Sequence, residues 1–253
     1  MHLKKHLDKL IDYYDSDQAF RALSTQAFSE ILSRGKKAYQ PGAIKVGQIN
    51  EDKRKYLLDL IKPNWWDINE GRQKNYPSQK NTKNILLINF ENHKSREDEV
   101  VQDQKSQLSI FARKQYINIK PFLDFVESFA SSIGNGVVRN TTLVNLLPGK
   151  EVYDHYDSGC YYMIRDRYHL VLYSPLGSKQ IFENEEFRFK QGEIWWYNNK
   201  LHHNAFNESD DSRIHLIFDV LPHKNRMYEN YLINKFYSND SIKVYGESDI
   251  INK

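Results

Sequence analysis

The stretch QGEIWWYNNKLHHNAFNESDDSRIHLIFDV, residues 191–220, decides the fold. Residues 193–197 and 213–220 are runs of β-branched and aromatic side chains, each too short for a helix. Turn chemistry bounds the first of them at Gln191-Gly192. Outward from this stretch the same texture repeats. Residues 141–147, 167–173, 179–182 and 186–189 read as further strands, separated by Pro148-Gly149, Ser174-Pro175 and Gly177-Ser178. Six short strands joined by tight turns predict a sandwich or barrel of the jelly-roll kind. Before it, residues 120–133 carry Phe122, Phe125, Val126 and Phe129 on one side and stop at Gly134 to Gly136, which predicts a helix packed outside the strands. The fold class is therefore an all-β core with flanking helices (α+β).

Further upstream the periodicity changes. Leu3, Leu7, Leu10 and Ile11, then Phe20, Leu23, Phe28, Ile31 and Leu32, then Tyr56, Leu57, Leu60 and Ile61 recur at spacings of three and four, and Gly35 and Pro63 punctuate them. This is an amphipathic-helix pattern. Residues 64–83 are polar and aromatic, 85–90 read as a short strand, and 91–107 form a charged stretch with no core-facing pattern, expected as loop or lid. Three regions follow: 1–112, helical and irregular; 113–225, the β core; and 226–253, a carboxyl-terminal extension. Trp65, Trp66 and Tyr76 suit the first region to a cap over the barrel mouth or to a homodimer surface.

Composition narrows the function classes. The 36 Lys and Arg residues against 33 Asp and Glu leave a formal charge of +3, too small to draw the whole molecule to nucleic acid or a membrane surface. No run approaches the ~20 apolar residues a membrane span needs, and the start is too charged for a secretory signal. A single cysteine, Cys160, excludes an internal disulfide framework and fits a reducing, cytoplasmic setting.

The histidines carry the chemistry. In an extended segment residues i and i+2 share a side, so His155 and Asp157 can reach one metal ion. Two imidazoles and one carboxylate on one face of an octahedron make the mononuclear non-haem iron(II) site, with open positions left for substrates. His202 and His203, 45 to 48 residues further on, are the two sources for the second imidazole. Arg213 opens an otherwise apolar strand and calls for an anionic partner, because a buried guanidinium left unpaired is costly. A bound dicarboxylate is such a partner. No nucleophile with a matched base stands out, and Cys160 has none beside it.

The chain from about Leu143 to Pro222 resembles the aspartyl/asparaginyl β-hydroxylase family, whose bacterial members include proline cis-hydroxylases. The resemblance lies in LVNLLPGKEVYDHYDSG, in RDRYHLVLYSP, and in QGEIWWYNNKLHHNAFNESDDSRIHLIFDVLP. It implies a double-stranded β-helix of cupin-like shape and an enzyme that uses Fe(II), 2-oxoglutarate and O2 to hydroxylate an amino acid or the side chain of a peptide or protein, releasing succinate and CO2. It also implies His155, Asp157 and His203 as the iron ligands, His203 standing ten residues before Arg213 as in other such oxygenases, and His202 as a neighbour. By the same resemblance Arg213 holds the far carboxylate of 2-oxoglutarate, and Arg167 and His169 face that cosubstrate. Asn145 stands where relatives often carry an arginine on a strand lining the pocket; with Tyr153 and His215 it is expected to meet substrate. The alternative reading is a non-catalytic cupin-like module binding a metal or small acid, which keeps the histidines but has no need of Arg213.

Overall fold

In the computed structural model, the structure describes residues 41–67, 77–89, 107–157, 162 and 165–226. The helices expected between residues 3 and 32, the loop expected over 91–107 except its last residue, Cys160, Tyr76 and the extension beyond 226 lie outside the described residues. Two antiparallel sheets face each other. The larger has seven strands in the order β1 (Ala43–Gln48), β9 (Glu193–Tyr197), β6 (Asp166–Tyr173), β11 (Arg213–Leu221), β4 (Val137–Leu146), β2 (Thr82–Asn89), β3 (Gln107–Leu108). The smaller has the order β5 (Lys150–His155), β10 (His203–Asn207), β7 (Ser178–Phe182), β8 (Glu185–Phe187). This is the expected jelly roll, the double-stranded β-helix.

The helices occupy one outer face of the larger sheet. Helix α1 (Glu51–Asp59) begins where the Asn50 side chain accepts from the Lys53 amide at 2.8 Å, and it buries Leu57 completely. The short α2 (Ile110–Lys114) leads into α3 (Tyr116–Ser132), whose Ile119, Phe122, Leu123, Val126 and Ala130 fall on one stripe. That stripe packs on Ile85, Leu143, Leu170, Leu216 and Phe218 from the outer side of the sheet. A second core lies between the sheets, around Ala43, Val171, Phe182, Phe189 and Tyr197, and Leu146, Val152 and Ala205 form a third. Among the described residues no helix is long and apolar enough to cross a membrane.

The region drawn as helical and irregular up to residue 112 contributes more to the β core than expected. β1 pairs with β9, and β2 pairs with β4, so both extend the larger sheet. β1 escapes a sequence reading because it is an edge strand whose middle residues are exposed, leaving no apolar alternation to detect.

Candidate functional site

A small cavity lies between the sheets. Strand alternation decides which side chains reach it. On β11, Arg213, His215 and Ile217 face inward; across the ladder β4 presents Val144 opposite His215, and β6 presents His169 opposite Ile217 and Arg167 opposite Asp219. From the smaller sheet come Val152, His155, Gln180, His203 and Ala205.

His155 reaches the cavity through a bulge. Opposite β10, His203 pairs with His155 and Ala205 with Val152, so three steps on β5 match two on β10. The extra residue breaks the period of two and lets both Val152 and His155 point inward. The rings of His155 and His203 then stand 4.4 Å apart. Each ring is held in the same way: Nδ1 of His155 donates to the Tyr153 carbonyl at 2.7 Å, and Nδ1 of His203 to the Leu201 carbonyl at 2.9 Å. With Nδ1 protonated, each Nε2 presents a lone pair, the tautomer a metal requires. Nε2 of His155 accepts from the Gln79 amide at 3.1 Å. Burial, followed by the neighbouring His155, lowers the His203 pKa to about 4, so its ring is neutral at pH 7. His202 turns outward, where its Nδ1 lies 2.7 Å from Asp154.

Asp157 lies just past the end of β5, its amide donating to the Asn199 carbonyl at 2.8 Å. Its Oδ2 accepts from Arg167 Nη1 and, at 2.9 Å, from Asn199 Nδ2. Burial acts to raise its pKa, but Arg167, with His203 and Asn199, holds it down at about 2. Among the described residues no three His, Cys, Asp or Glu side chains already surround one ion position. The donor chemistry nevertheless fits Fe(II): two neutral imidazoles with Nε2 lone pairs, and a carboxylate whose Oδ1 has no donor among the described residues.

Arg213 is 5 % exposed and rests on His215, its Nε 3.1 Å from Nε2 and its Nη2 3.0 Å from Nδ1. Among the described residues no carboxylate pairs with it. Burial lowers its pKa to about 10, which leaves it a cation at neutral pH. Burial, followed by the arginine beside it, drives the His215 pKa well down, so that ring is neutral. His169 stacks on Tyr197 with centroids 4.2 Å apart, and its Nδ1 lies 3.3 Å from Nδ1 of His215.

Three of the expected site residues, Asn145, Tyr153 and Arg167, have surroundings of their own. Asn145 pairs with Ile214, on the opposite face of β4 from Val144, and is not among the cavity-lining residues. β4 is buried on both faces over its last six residues, so its sequence does not reveal which side is the cavity. Tyr153, next after the inward-facing Val152, is turned out by strand alternation and lines a separate groove, with Lys80 Nζ 4.8 Å above its ring. Arg167 does border the cavity, but its nitrogens are engaged by Asp219 and Asp157. Sequence reading gave no role to Gln79, Gln180, Tyr197 or Asn199. Of these only Tyr197 and Asn199 lie in a quoted motif, and Gln79 comes from a three-residue 3-10 helix, Pro77–Gln79, that carries no periodic signal.

An intersheet cavity with these donors, in a double-stranded β-helix, suits a hydroxylase of the class that uses Fe(II), 2-oxoglutarate and O2. The sequence profile of the aspartyl/asparaginyl beta-hydroxylase family matches residues 79–222, and the chain belongs to that family. No curated protein sequence matches it. Solved structures with similarity include the viral collagen prolyl hydroxylase of Paramecium Bursaria Chlorella virus-1 in its 2OG complex, 13% identical over 71% of this chain and 96% of that one, TM-score 0.43. A 2OG-Fe(II) oxygenase family oxidoreductase of Burkholderia pseudomallei is 9% identical over 78% of this chain and 90% of that one, TM-score 0.47.

Proposed function

We propose that His155, Asp157 and His203 hold the Fe(II) of this dioxygenase, that Arg213 binds the distal carboxylate of 2-oxoglutarate, and that the substrate is an amino acid, free or as a residue of a peptide or protein. The observation that carries this reading is Arg213, a buried cation without a carboxylate partner among the described residues, in the same cavity as the paired imidazoles. A guanidinium offers a planar fork that matches a carboxylate, and burying it unpaired is costly, so a bound dicarboxylate explains its place.

Bound Fe(II) and 2-oxoglutarate supply the oxidation, coupling decarboxylation of the keto acid by O2 to hydroxylation of a C–H bond. The protein's own residues do simpler work. The carbonyls of Tyr153 and Leu201 fix two imidazole tautomers, and Asp157 contributes negative charge. His215, kept neutral, supports the Arg213 guanidinium without competing for its anion. Val144, Val152, Ala205 and Ile217 line the cavity with apolar surface that excludes water.

Incubating the chain with Fe(II), 2-oxoglutarate and either free amino acids or peptides tests this, with mass spectrometry following the gain of one oxygen atom. Oxygen gain on an amino acid or residue, matched by succinate, is the expected result. Succinate release with no modified amino acid or residue in any pool would overturn the substrate class.

A further inference from the structure

We propose that Arg167, Asp219 and Asn199 form a clamp that fixes the Asp157 carboxylate by its Oδ2 and leaves Oδ1 to the ion, making Arg167 a positioning residue and not a contact of 2-oxoglutarate. The inference rests on the assignment of Asp157 as an iron ligand.

The two cavity arginines have opposite surroundings. Arg167 and Asp219 are register partners across the β6–β11 ladder. They meet as a fork: Nε reaches Oδ1 at 2.8 Å and Nη2 reaches Oδ2 at 3.0 Å. The remaining terminal nitrogen, Nη1, is bonded to Asp157 Oδ2. The edge of Arg167 best suited to a second carboxylate is thus already filled by Asp219, which is 2 % exposed. Arg213 has no such partner among the described residues, and a cosubstrate dianion has that cation to meet.

Asn199 completes the clamp. Its carbonyl accepts from the Asp157 amide at 2.8 Å and its Nδ2 donates to Oδ2 at 2.9 Å, so backbone and side chain grip the same residue. Lys200 Nζ, anchored on the Arg165 carbonyl at 2.6 Å, donates to Asn199 Oδ1 at 3.2 Å and sets which end of the amide faces Asp157. Both donors to the carboxylate converge on Oδ2. Groups that orient a metal-binding carboxylate are worth roughly 10- to 100-fold in metal affinity.

The test is calorimetric titration of the full chain with Mn(II), a redox-stable probe, beside steady-state assays with Fe(II). Arg167→Gln and Asn199→Ala should each weaken Mn(II) by ~10- to 100-fold, with the KM for 2-oxoglutarate at saturating Fe(II) unchanged. Arg167→Lys, which keeps the charge and loses the fork, should recover part of the Mn(II) affinity. A raised KM for 2-oxoglutarate with wild-type Mn(II) affinity in Arg167→Gln overturns the proposal. So does wild-type Mn(II) affinity in Asn199→Ala, which decides the matter even where Arg167→Gln does not fold. Asp157→Ala separates the two levels: if it binds Mn(II) as the wild type does, the ligand assignment itself fails. If it loses Mn(II) while the clamp variants keep it, only the clamp fails.

Discussion

His202 and His203 are adjacent in the chain and point to opposite sides of the smaller sheet, the first toward Asp154 at the surface and the second toward His155 in the cavity. Strand alternation makes the two substitutions a matched pair. His203→Ala removes a proposed iron ligand and should lower iron-dependent succinate formation by more than ~100-fold, beyond what loss of a merely supporting group costs. His202→Ala removes a partly exposed ion-pair contact with Asp154 worth about 0–1 kcal/mol and a ring contact with Tyr156, and should leave turnover within a few-fold of wild type. Equal losses at both positions would place the wrong histidine in the cavity.

Arg213 offers a test that reads cosubstrate binding alone. Arg213→Ala leaves a dianion without its buried counter-charge and should weaken 2-oxoglutarate by the equivalent of roughly 2–5 kcal/mol. Arg213→Lys keeps the charge but not the planar fork and should fall between. Calorimetry of 2-oxoglutarate against the Mn(II)-loaded chain measures both, and an unchanged affinity in Arg213→Ala rules out Arg213 as the partner of the distal carboxylate.

A stability prediction comes from Gly42, next to the start of β1. A Cβ there would lie 2.1–2.5 Å from Phe182, which is 1 % exposed in the intersheet core. Phe182 is packed against Phe187 and Tyr197 and has nowhere simple to go. Gly42→Ala should therefore destabilise by ~1–3 kcal/mol, the usual range for overpacking, seen as a lower denaturation midpoint with an unchanged slope. Gly134→Ala is a useful contrast: its φ of +102° costs backbone strain, but nothing lies within 4 Å of the added carbon.

The strands were legible in proportion to how strongly they alternate or carry β-branched residues. Glu193–Tyr197 has the predicted bounds, and Arg213–Leu221 runs one residue further. β10, HNAFN, carries the proposed ligand His203 but no β-branched residue, so sequence gives the histidine without its strand. Faces were harder than strands. For β4 the difficulty at Asn145 is one of parity: both faces are buried at its end, and a period of two cannot say which side is the cavity. The cation at Arg213 was readable because a charged residue in an apolar run is a local anomaly. The fork between Arg167 and Asp219 was not, because it joins residues 52 positions apart through a register that only the sheet defines.

The β5 bulge lends itself to a sharper experiment. The i, i+2 argument puts His155 and Asp157 on one side, but Val152 and His155 are three residues apart and share the cavity side only because the bulge absorbs the extra residue. Deleting Asp154, whose side chain is exposed and bonds only His202 among the described residues, restores the even count opposite Ala205 and His203. With two steps between them, plain alternation keeps both Val152, over Leu146 and Ala205, and the ring of residue 155 on the cavity side. The deletion should therefore retain Mn(II) binding as well as the far-ultraviolet circular dichroism of the folded sheet. Asp154→Ala, which removes the same side chain and leaves the residue count intact, should bind Mn(II) as the wild type does; loss of Mn(II) in the deletion alone would mean that the bulge itself, and not the parity it restores, places His155.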